Sequence, residues 1–205
     1  QERLTSILRM IESSSPSYML MSSLELAVDI YETKGKDLMD ELLDNIDIFK
    51  KNMEKYKNIN IYNDDDRTKI FISSKELGMA GYELDEMLRM NYNVQVELSN
   101  YYGILLICTI GNDRGDFKSL EYALADISLN HISNKNIGYI DYPMNIPVKE
   151  LSPREAFYNE KKSVKIYDSI GKICGEYIIP YPPGICLVSP GEIITKEVID
   201  YILVC

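Results

Sequence analysis

Residues 81–110, GYELDEMLRMNYNVQVELSNYYGILLICTI, decide the fold class because the spacing of their apolar residues changes within one short stretch. YELDEMLRMN has the spacing of a short helix. VQVEL (94–98) and ILLICTI (104–110) have the alternating or continuous apolar character of strands, and SNYYG between them is typical of a turn. The stretch therefore predicts a helix followed by two adjacent strands.

The flanking sequence extends this pattern in both directions. NINIYN (58–63) and TKIFIS (68–73) surround the polar turn NDDDR, which predicts a hairpin or two adjacent strands. DFKSLEYALADISLNHI (116–132) is helical in pattern, and its core stripe consists of Leu120, Ala123, Leu124 and Ile127. Helices alternating with strand pairs indicate an α+β fold, in which helices pack on a small antiparallel or mixed sheet.

The first part of the chain is predicted to be helical throughout. Apolar residues recur at spacings of three and four between Leu4 and Ile11. Ser15–Pro16 has the composition of a second helix start, with serine as N-cap and proline at the first helical position. Gly35 is expected to end that helix, and a third helix is predicted over residues 36–56.

The remaining sequence is divided by composition. Residues 134–152 have no clear period and contain two prolines, so we predict a linker. After it follow a short helix PREAFYNEK, a strand-like GEYIIP and a final helix from about Thr195. The predicted organisation is a helical segment (1–57), an α/β small domain (58–133), the linker and a C-terminal region (153–205), which we expect to be a short α/β extension.

Composition and charge exclude several classes of function. A net charge of −10 and a pI of about 4.7 argue against nucleic acid as a partner. The apolar runs are all shorter than the roughly 18 residues that span a bilayer, so no membrane association is expected. The cysteines Cys108, Cys174, Cys186 and Cys205 form no CxxC pair, which predicts reduced buried thiols and a cytoplasmic protein. A single histidine argues against a metal site of the zinc type.

Residues 178–192, IIPYPPGICLVSPGE, contain four prolines. Pro182 and Pro183 fix two φ angles and remove two N–H donors, and Gly184 permits a positive φ. The stretch holds no nucleophile, base or metal ligand at a catalytic spacing. By itself it predicts a rigid structural turn.

The same stretch, together with residues 151–176 before it, resembles the carboxyl-terminal region of the ornithine/lysine/arginine decarboxylases. Cys186 stands where that family usually has another proline. ESSSPSYMLMSSLELA (12–27) and the helix–strand–turn–strand unit of residues 81–113 are also similar to the family. The resemblance implies a pyridoxal 5′-phosphate enzyme with the aspartate aminotransferase fold, called fold type I. This chain would then correspond to the small, C-terminal domain of such an enzyme.

The resemblance also implies which residue the chain lacks. In this family a lysine preceded by histidine binds the cofactor as a Schiff base, whereas the only histidine here, His131, is followed by isoleucine. We therefore expect a C-terminal portion that is inactive alone, with the catalytic lysine outside this chain. The whole enzyme would convert ornithine, lysine or arginine into CO₂ and a diamine or polyamine precursor. Its implied partners are the rest of the same chain, the basic amino acid and further copies in a homodimer or higher homo-oligomer.

Two other functions remain open at this point. The chain could be a stand-alone, non-enzymatic module for oligomerisation or binding that derives from the same scaffold. It could also belong to another enzyme of the fold, such as an aminotransferase, although the proline stretch is not typical of those enzymes.

Cofactor binding is assigned to the serines of ESSSPSY. The resemblance implies that hydroxyls of this segment reach the cofactor phosphate of a neighbouring subunit. The candidates are Ser14 and Ser15, followed by Ser13. A helix start suits an anion on physical grounds as well, but Ser15 could equally serve only as a helix cap.

Charged residues provide the remaining candidates. Glu97 lies where the family often has a glutamate, and a carboxylate there could bind the distal cation of the substrate or pair with a basic residue of the chain. Arg154 could bind a carboxylate or form a surface ion pair. Asp64 to Arg67 could suggest a metal site, but their spacing favours a solvated turn.

Overall fold

The computed structural model describes residues 2–12, 15–63, 65–133, 135–140, 142–181 and 184–204. Within them the chain forms six helices, four strands and two short 3₁₀ turns. In chain order these are α1 (Glu2–Ile11), α2 (Tyr18–Met53), β1 (Asn60–Asn63), β2 (Lys69–Ser73), a 3₁₀ turn (Lys75–Leu77), α3 (Gly81–Tyr92), β3 (Leu98–Asn100), β4 (Gly103–Ile107), α4 (Arg114–Asn130), α5 (Pro153–Tyr158), a second 3₁₀ turn (Ile166–Ser169) and α6 (Lys196–Ile202).

The four strands form one antiparallel sheet in the order β1-β2-β4-β3. Ile61 pairs with Ile72, and Ile70 pairs with Leu106. Ile70 and Ile72 lie on one face of β2 and are fully buried, as strand alternation requires. The predicted α+β class and the predicted hairpin between residues 58 and 73 are both confirmed.

The main hydrophobic core lies between this sheet and three helices, α2, α3 and α4. The C-terminal half of α2 contributes Leu42, Ile46, Phe49 and Met53, whose spacings of four and three place them on one face. The predicted stripe of α4 faces them: Leu120, Ala123, Leu124 and Ile127 are all buried. Phe49 and Phe117 join the two helices, with ring centroids 6.0 Å apart.

Helix α2 runs without interruption for 36 residues, so the predicted end at Gly35 is wrong. A glycine inside a helix costs about 1 kcal/mol but does not remove a hydrogen bond. Gly35 is buried by the preceding turn, because a Cβ there would lie 3.2 Å from Tyr31 Cδ1. The glycine therefore makes room for the Tyr31 ring within a continuous helix.

The start of α2 also differs from the prediction. Tyr18 is the first helical residue and Ser17 is the N-cap, with its Oγ accepting from Leu20 N at 3.5 Å. Ser15 and Pro16 precede the cap instead of forming it. The assignment of Ser15 as N-cap is therefore wrong by two residues.

Both strands of the second pair are shorter than predicted, and the first of them begins later. Asn93 ends α3 with a left-handed φ of 55°, and the chain pairs as a strand only from Leu98. The turn between β3 and β4 is closed by Asn100, whose Oδ1 accepts from Tyr102 N at 2.9 Å and Gly103 N at 3.1 Å. Strand β4 accordingly begins at Gly103.

Two glycines let α3 approach this turn. A Cβ on Gly81 would lie 2.0 Å from Gly103 O, and one on Gly103 would lie 2.2 Å from Ile72 O. Real Cβ atoms do not approach backbone oxygens so closely. The helix start, the turn and β2 are therefore in direct backbone contact.

The C-terminal part has a small hydrophobic cluster of its own. Its buried members are Cys174, Leu187, Val188, Ile194, Val198 and Ile199. Among the described residues of this part, β pairing is limited to isolated bridges such as Ile178 with Val188 and Ile173 with Ile193. The predicted strand GEYIIP is thus reduced to a single bridge, while the predicted final helix is α6, capped by Thr195.

The cysteines differ in exposure. Cys174 is buried and Cys108 is half-buried, but Cys186 is exposed, so its predicted burial is wrong. Cys186 follows the proline-rich turn, and its Sγ lies 3.5 Å from Ser189 Oγ on the surface. These three thiols are free, and Cys205 lies outside the described residues. Of the helices described, none is both long and apolar enough to span a membrane.

Candidate functional site

The start of α2 is the predicted anion site. Ser13 and Ser14 lie outside the described residues, so two of the three predicted serines have no described position. Ser15 is exposed and lies two residues before the cap. Ser17, which the sequence reasoning missed, provides the capping oxygen. Pro16 was the misleading signal, since it favoured an earlier start.

The charge at this helix start suits an anion. The first turn of α2 contains no acidic residue. By contrast, α3, α4, α5 and α6 each carry one, namely Glu83, Asp116, Glu155 and Glu197. Those carboxylates neutralise the positive end of their own helix. At α2 the Ser17 side chain accepts from Leu20 N, but no carboxylate of the first turn neutralises the positive dipole end, which suits a phosphate group.

Glu97 lies immediately before β3 and is exposed. Its backbone N donates to Leu105 O at 3.0 Å, which fixes the residue beside the sheet. Its carboxylate forms no hydrogen bond or ion pair with any other described residue. The alternative of a structural ion pair is therefore not seen, and the carboxylate can accept a cation.

The surroundings of Glu97 form a polar cavity of about 540 Å³. It lies between the end of α3, strand β4 and the start of α4. Cys108, Asn112 and Asp116 line it together with Glu97. Burial raises the pKa of the Cys108 thiol to about 11, so this sulfur stays protonated at neutral pH. The cavity therefore offers carboxylate and amide groups but no thiolate.

The other charged candidates have simple surroundings. Asp66 Oδ1 accepts from Thr68 Oγ1 at 2.6 Å and from Thr68 N at 3.0 Å. These bonds lower the pKa of the Asp66 carboxyl. Arg67 pairs with Asp47 at 2.7 Å. Asp64 lies outside the described residues, within which no cluster of three or more possible metal ligands occurs. Arg154 is exposed in the first turn of α5.

The proline-rich stretch forms a closed turn. Gly184 has a φ of +88°, and its N donates to Pro180 O at 3.0 Å. Ile178 N donates to Val188 O and Leu187 N to Ile178 O, each at 2.9 Å. Pro182 and Pro183 lie outside the described residues. The positive φ at Gly184 agrees with its predicted structural role.

The structure keeps the predicted features apart. Glu97 lines one cavity, residues of the proline-rich stretch line another, and Ser15 lines neither. In the part of the chain that the structure describes, they do not line one common cavity.

Comparison with known proteins gives consistent matches along the chain. Residues 1–70 match the family model "Orn/Lys/Arg decarboxylase, major domain", and residues 141–205 match "Orn/Lys/Arg decarboxylase, C-terminal domain". Arginine decarboxylase of Bacillus subtilis is 33% identical over 98% of the chain and 44% of the relative. Arginine decarboxylase of Halalkalibacterium halodurans is 37% identical over 98% of the chain and 43% of the relative. The chain thus spans less than half the length of these relatives.

Solved structures give the same fold. The lysine decarboxylase LdcF of Francisella novicida matches with a TM-score of 0.76 at 18% identity, covering 99% of this chain and 41% of that protein. The constitutive lysine decarboxylase of E. coli matches with a TM-score of 0.74 at 19% identity, covering 99% of this chain and 41% of that protein. At this identity the likeness concerns the fold.

Proposed function

Because the chain belongs to the ornithine/lysine/arginine decarboxylase family, we propose that it forms the carboxyl-terminal portion of a pyridoxal-phosphate-dependent decarboxylase of a basic amino acid. The relatives that align along nearly the whole chain at 31% to 37% identity are named arginine decarboxylases, so we favour arginine over lysine and ornithine. In this reaction the bond between Cα and the carboxylate breaks, CO₂ leaves, and a proton takes its place on Cα.

This proposal rests on the start of α2, where the first turn has no acidic residue to neutralise the positive end of the helix dipole. Pyridoxal phosphate, when bound, supplies an electron sink for the breaking bond. The N–H groups at the start of α2 and the hydroxyls of Ser15 and Ser17 fit its phosphate, because no carboxylate of the first turn repels it. We extend the assignment to Ser13 and Ser14 on the family resemblance.

Glu97 is proposed to orient the substrate. Its unpaired carboxylate can hold a guanidinium group through two charge-assisted hydrogen bonds. Binding at the distal end of the substrate fixes the amino acid without taking part in the bond that breaks. Glu97 thus positions the substrate and makes the enzyme specific for a basic amino acid.

The exposed apolar surface of α1 and α2 supports a larger assembly. Leu4, Ile7, Leu20 and Leu24 are more than half exposed, with Leu20 and Leu24 at 68%. Contiguous apolar faces of this kind normally mark an interface. We propose that the preceding part of the same protein and a second copy in a homodimer cover them, in a cytoplasmic enzyme.

Cofactor retention tests the proposal. In the full-length protein, the double substitution Ser15→Ala and Ser17→Ala should weaken pyridoxal phosphate binding about tenfold, because two donors to the phosphate are lost. Binding is measured by the cofactor's visible absorbance after gel filtration. Ser22→Ala, on the exposed surface of α2, is the matched control. Unchanged cofactor affinity in the double variant would refute the phosphate assignment.

The isolated chain provides a second test. We propose that it has no decarboxylase activity, since the cofactor-binding lysine of the family is not found in it. Mixing the chain with pyridoxal phosphate should produce no absorbance of a covalently bound cofactor. Such absorbance would show that another lysine of this chain can serve.

A further inference from the structure

A second cavity, separate from that of Glu97, lies between the β3–β4 turn, residues 139, 140 and 142, and the C-terminal cluster. It has a volume of about 650 Å³, within the range of small-molecule sites. Seven of the chain's 16 tyrosines line it: Tyr82, Tyr101, Tyr102, Tyr139, Tyr142, Tyr181 and Tyr201. We call it the tyrosine cavity.

Contacts with neighbouring groups hold several of these rings in place. Tyr102 Oη accepts from Ile140 N at 2.8 Å and lies 3.3 Å from Ile140 O, to which it can donate. Tyr142 and Tyr201 meet edge to face at 5.2 Å, and Tyr101 and Tyr102 do so at 5.4 Å. These contacts hold four of the seven rings at the wall of the cavity.

The chemistry of the lining is aromatic and uncharged. Besides the tyrosines, the described lining consists of aliphatic residues, Pro180, Ser99 and Asn100. No lysine or arginine is among these described residues. A cation inside the cavity would therefore meet aromatic faces without a competing positive charge.

Carboxylates lie directly behind the lining. Ser99 Oγ donates to Asp85 Oδ2 at 2.8 Å, and Asp85 Oδ1 is buried with no hydrogen-bond partner among the described residues. On the opposite side, an adjoining cavity shares Tyr139, Tyr142 and Tyr201 and contains Glu197 and Asp200.

Among the described residues, only one of these three carboxylates has a cationic partner. Asp200 pairs with Lys196 at 2.5 Å, whereas the partner described for Glu197 is the neutral amide of Asn145, at 3.1 Å. Asp85 likewise has no described basic partner. Two uncompensated negative charges thus flank the tyrosine cavity.

We propose that the tyrosine cavity binds a small organic cation with a slim apolar body, an alkylammonium or alkylguanidinium ion. The positive head is attracted to the electron-rich ring faces and to the field of Asp85 and Glu197. The alkyl chain packs on Ile178, Ile185 and Leu187. An anion is repelled, and a neutral alcohol gains neither attraction. The inference does not depend on the decarboxylase assignment, since none of these residues belongs to the site proposed for that reaction.

Titration of the full chain with defined probes tests this inference. The probes are 1,4-diaminobutane and butylguanidinium, with 1,4-butanediol as the neutral control. The chain has no tryptophan, so its emission comes from its 16 tyrosines, seven of which line the cavity. Both cations should change this emission saturably and give a matching calorimetric isotherm. Absence of saturable binding, or equal binding of the diol, would overturn the proposal.

Matched variants locate the site. Tyr139 and Tyr181 are 84% and 82% exposed, so substitution there leaves the fold intact. Tyr139→Leu combined with Tyr181→Leu should weaken cation binding about tenfold, while phenylalanine at both positions should keep it within about twofold, because the ring face is retained. Glu197→Gln should weaken it severalfold. Tyr62→Leu, on β1, is the control. Leucine variants that bind like the unaltered chain would refute the site.

Discussion

The substrate-binding role proposed for Glu97 rests on the lack of a described partner for its carboxylate. No described lysine or arginine pairs with its carboxylate. A carboxylate that keeps its full capacity to accept hydrogen bonds can select a cationic substrate. The residue was identified only by family resemblance, because a lone glutamate has no distinguishing sequence pattern.

In the full-length enzyme, Glu97→Gln should raise KM for the basic amino acid about tenfold or more with a smaller change in kcat. The substitution keeps the shape and removes the charge that holds the distal cation. Steady-state kinetics with arginine measure both constants. Glu86→Gln, an exposed glutamate of α3, is the control. An unaltered KM would exclude Glu97 from substrate binding.

Tyr92 and Asp126 form a polar contact whose strength depends on pH. The Tyr92 hydroxyl donates to Asp126 Oδ2 at 2.5 Å and joins α3 to α4, while Asn130 Nδ2 donates to Oδ1 at 2.6 Å. The bond from Tyr92, followed by that from Asn130, holds the pKa of the Asp126 carboxyl below its usual range. Burial, followed by the bond to Asp126, raises the pKa of Tyr92 to about 12.

The contribution of this pair to stability should be constant between about pH 4 and pH 10, the ordinary values of the two groups. It is lost below pH 4 as Asp126 becomes protonated, because its pKa is lower in the folded state. It is also lost as the pH rises through about 12 and Tyr92 ionises. Tyr92→Phe should therefore lower the urea midpoint at pH 7 and converge with the unaltered protein at acid pH. A difference that persists undiminished at pH 2 would contradict this assignment.

At the scale of elements, the sheet was predictable and the long helix was not. The alternation of apolar and polar residues in NINIYN and TKIFIS identifies two strands. Apolar residues recur at every second position because only one face of each strand is buried. Helix α2 continues through Gly35, where the Tyr31 side chain packs against the glycine. The pattern of the sequence around Gly35 does not predict this packing. The tyrosine cavity was also beyond prediction, since its rings lie between residues 82 and 201 and meet only in the folded chain.

Helix α2 yields a direct test of its continuity. Gly35→Ala should stabilise the protein by about 0.5–1 kcal/mol, because alanine loses less backbone entropy in a helix interior. The three atoms nearest the new Cβ all belong to Tyr31, a residue that is 56% exposed and whose ring can shift. Urea unfolding followed by circular dichroism gives the difference in free energy.

Gly78→Ala is the matched contrast for this experiment. Gly78 has a φ of +67°, and a Cβ there would lie 1.9 Å from Ser133 O, so alanine should destabilise. Destabilisation by Gly35→Ala as well would show that the Tyr31 ring cannot move aside for the new Cβ.

At the scale of the whole molecule, two hydrophobic clusters are joined by few contacts. The larger contains the sheet, α3, α4 and the second half of α2, and the smaller contains α6 and the bridged loops before it. The segment between them links the two: Ile140 donates to Tyr102 of the β3–β4 turn, while Tyr142 and Asn145 contact Tyr201 and Glu197 of α6. Regions with separate cores and a mostly polar or aromatic junction can open independently.

Cavity-forming substitutions in each cluster test this independence. Ile46 and Val188 are both fully buried, one in each cluster. Ile46→Ala should destabilise the sheet and its helices by about 2–5 kcal/mol. Val188→Ala removes fewer atoms and should accelerate hydrogen exchange in residues 172–204 while leaving β2 and β4 as protected as before. Exchange followed by mass spectrometry resolves the two regions. If Val188→Ala accelerated exchange equally in β2 and β4, the clusters would unfold as one unit, and the tyrosine cavity between them would lie inside a single cooperative core.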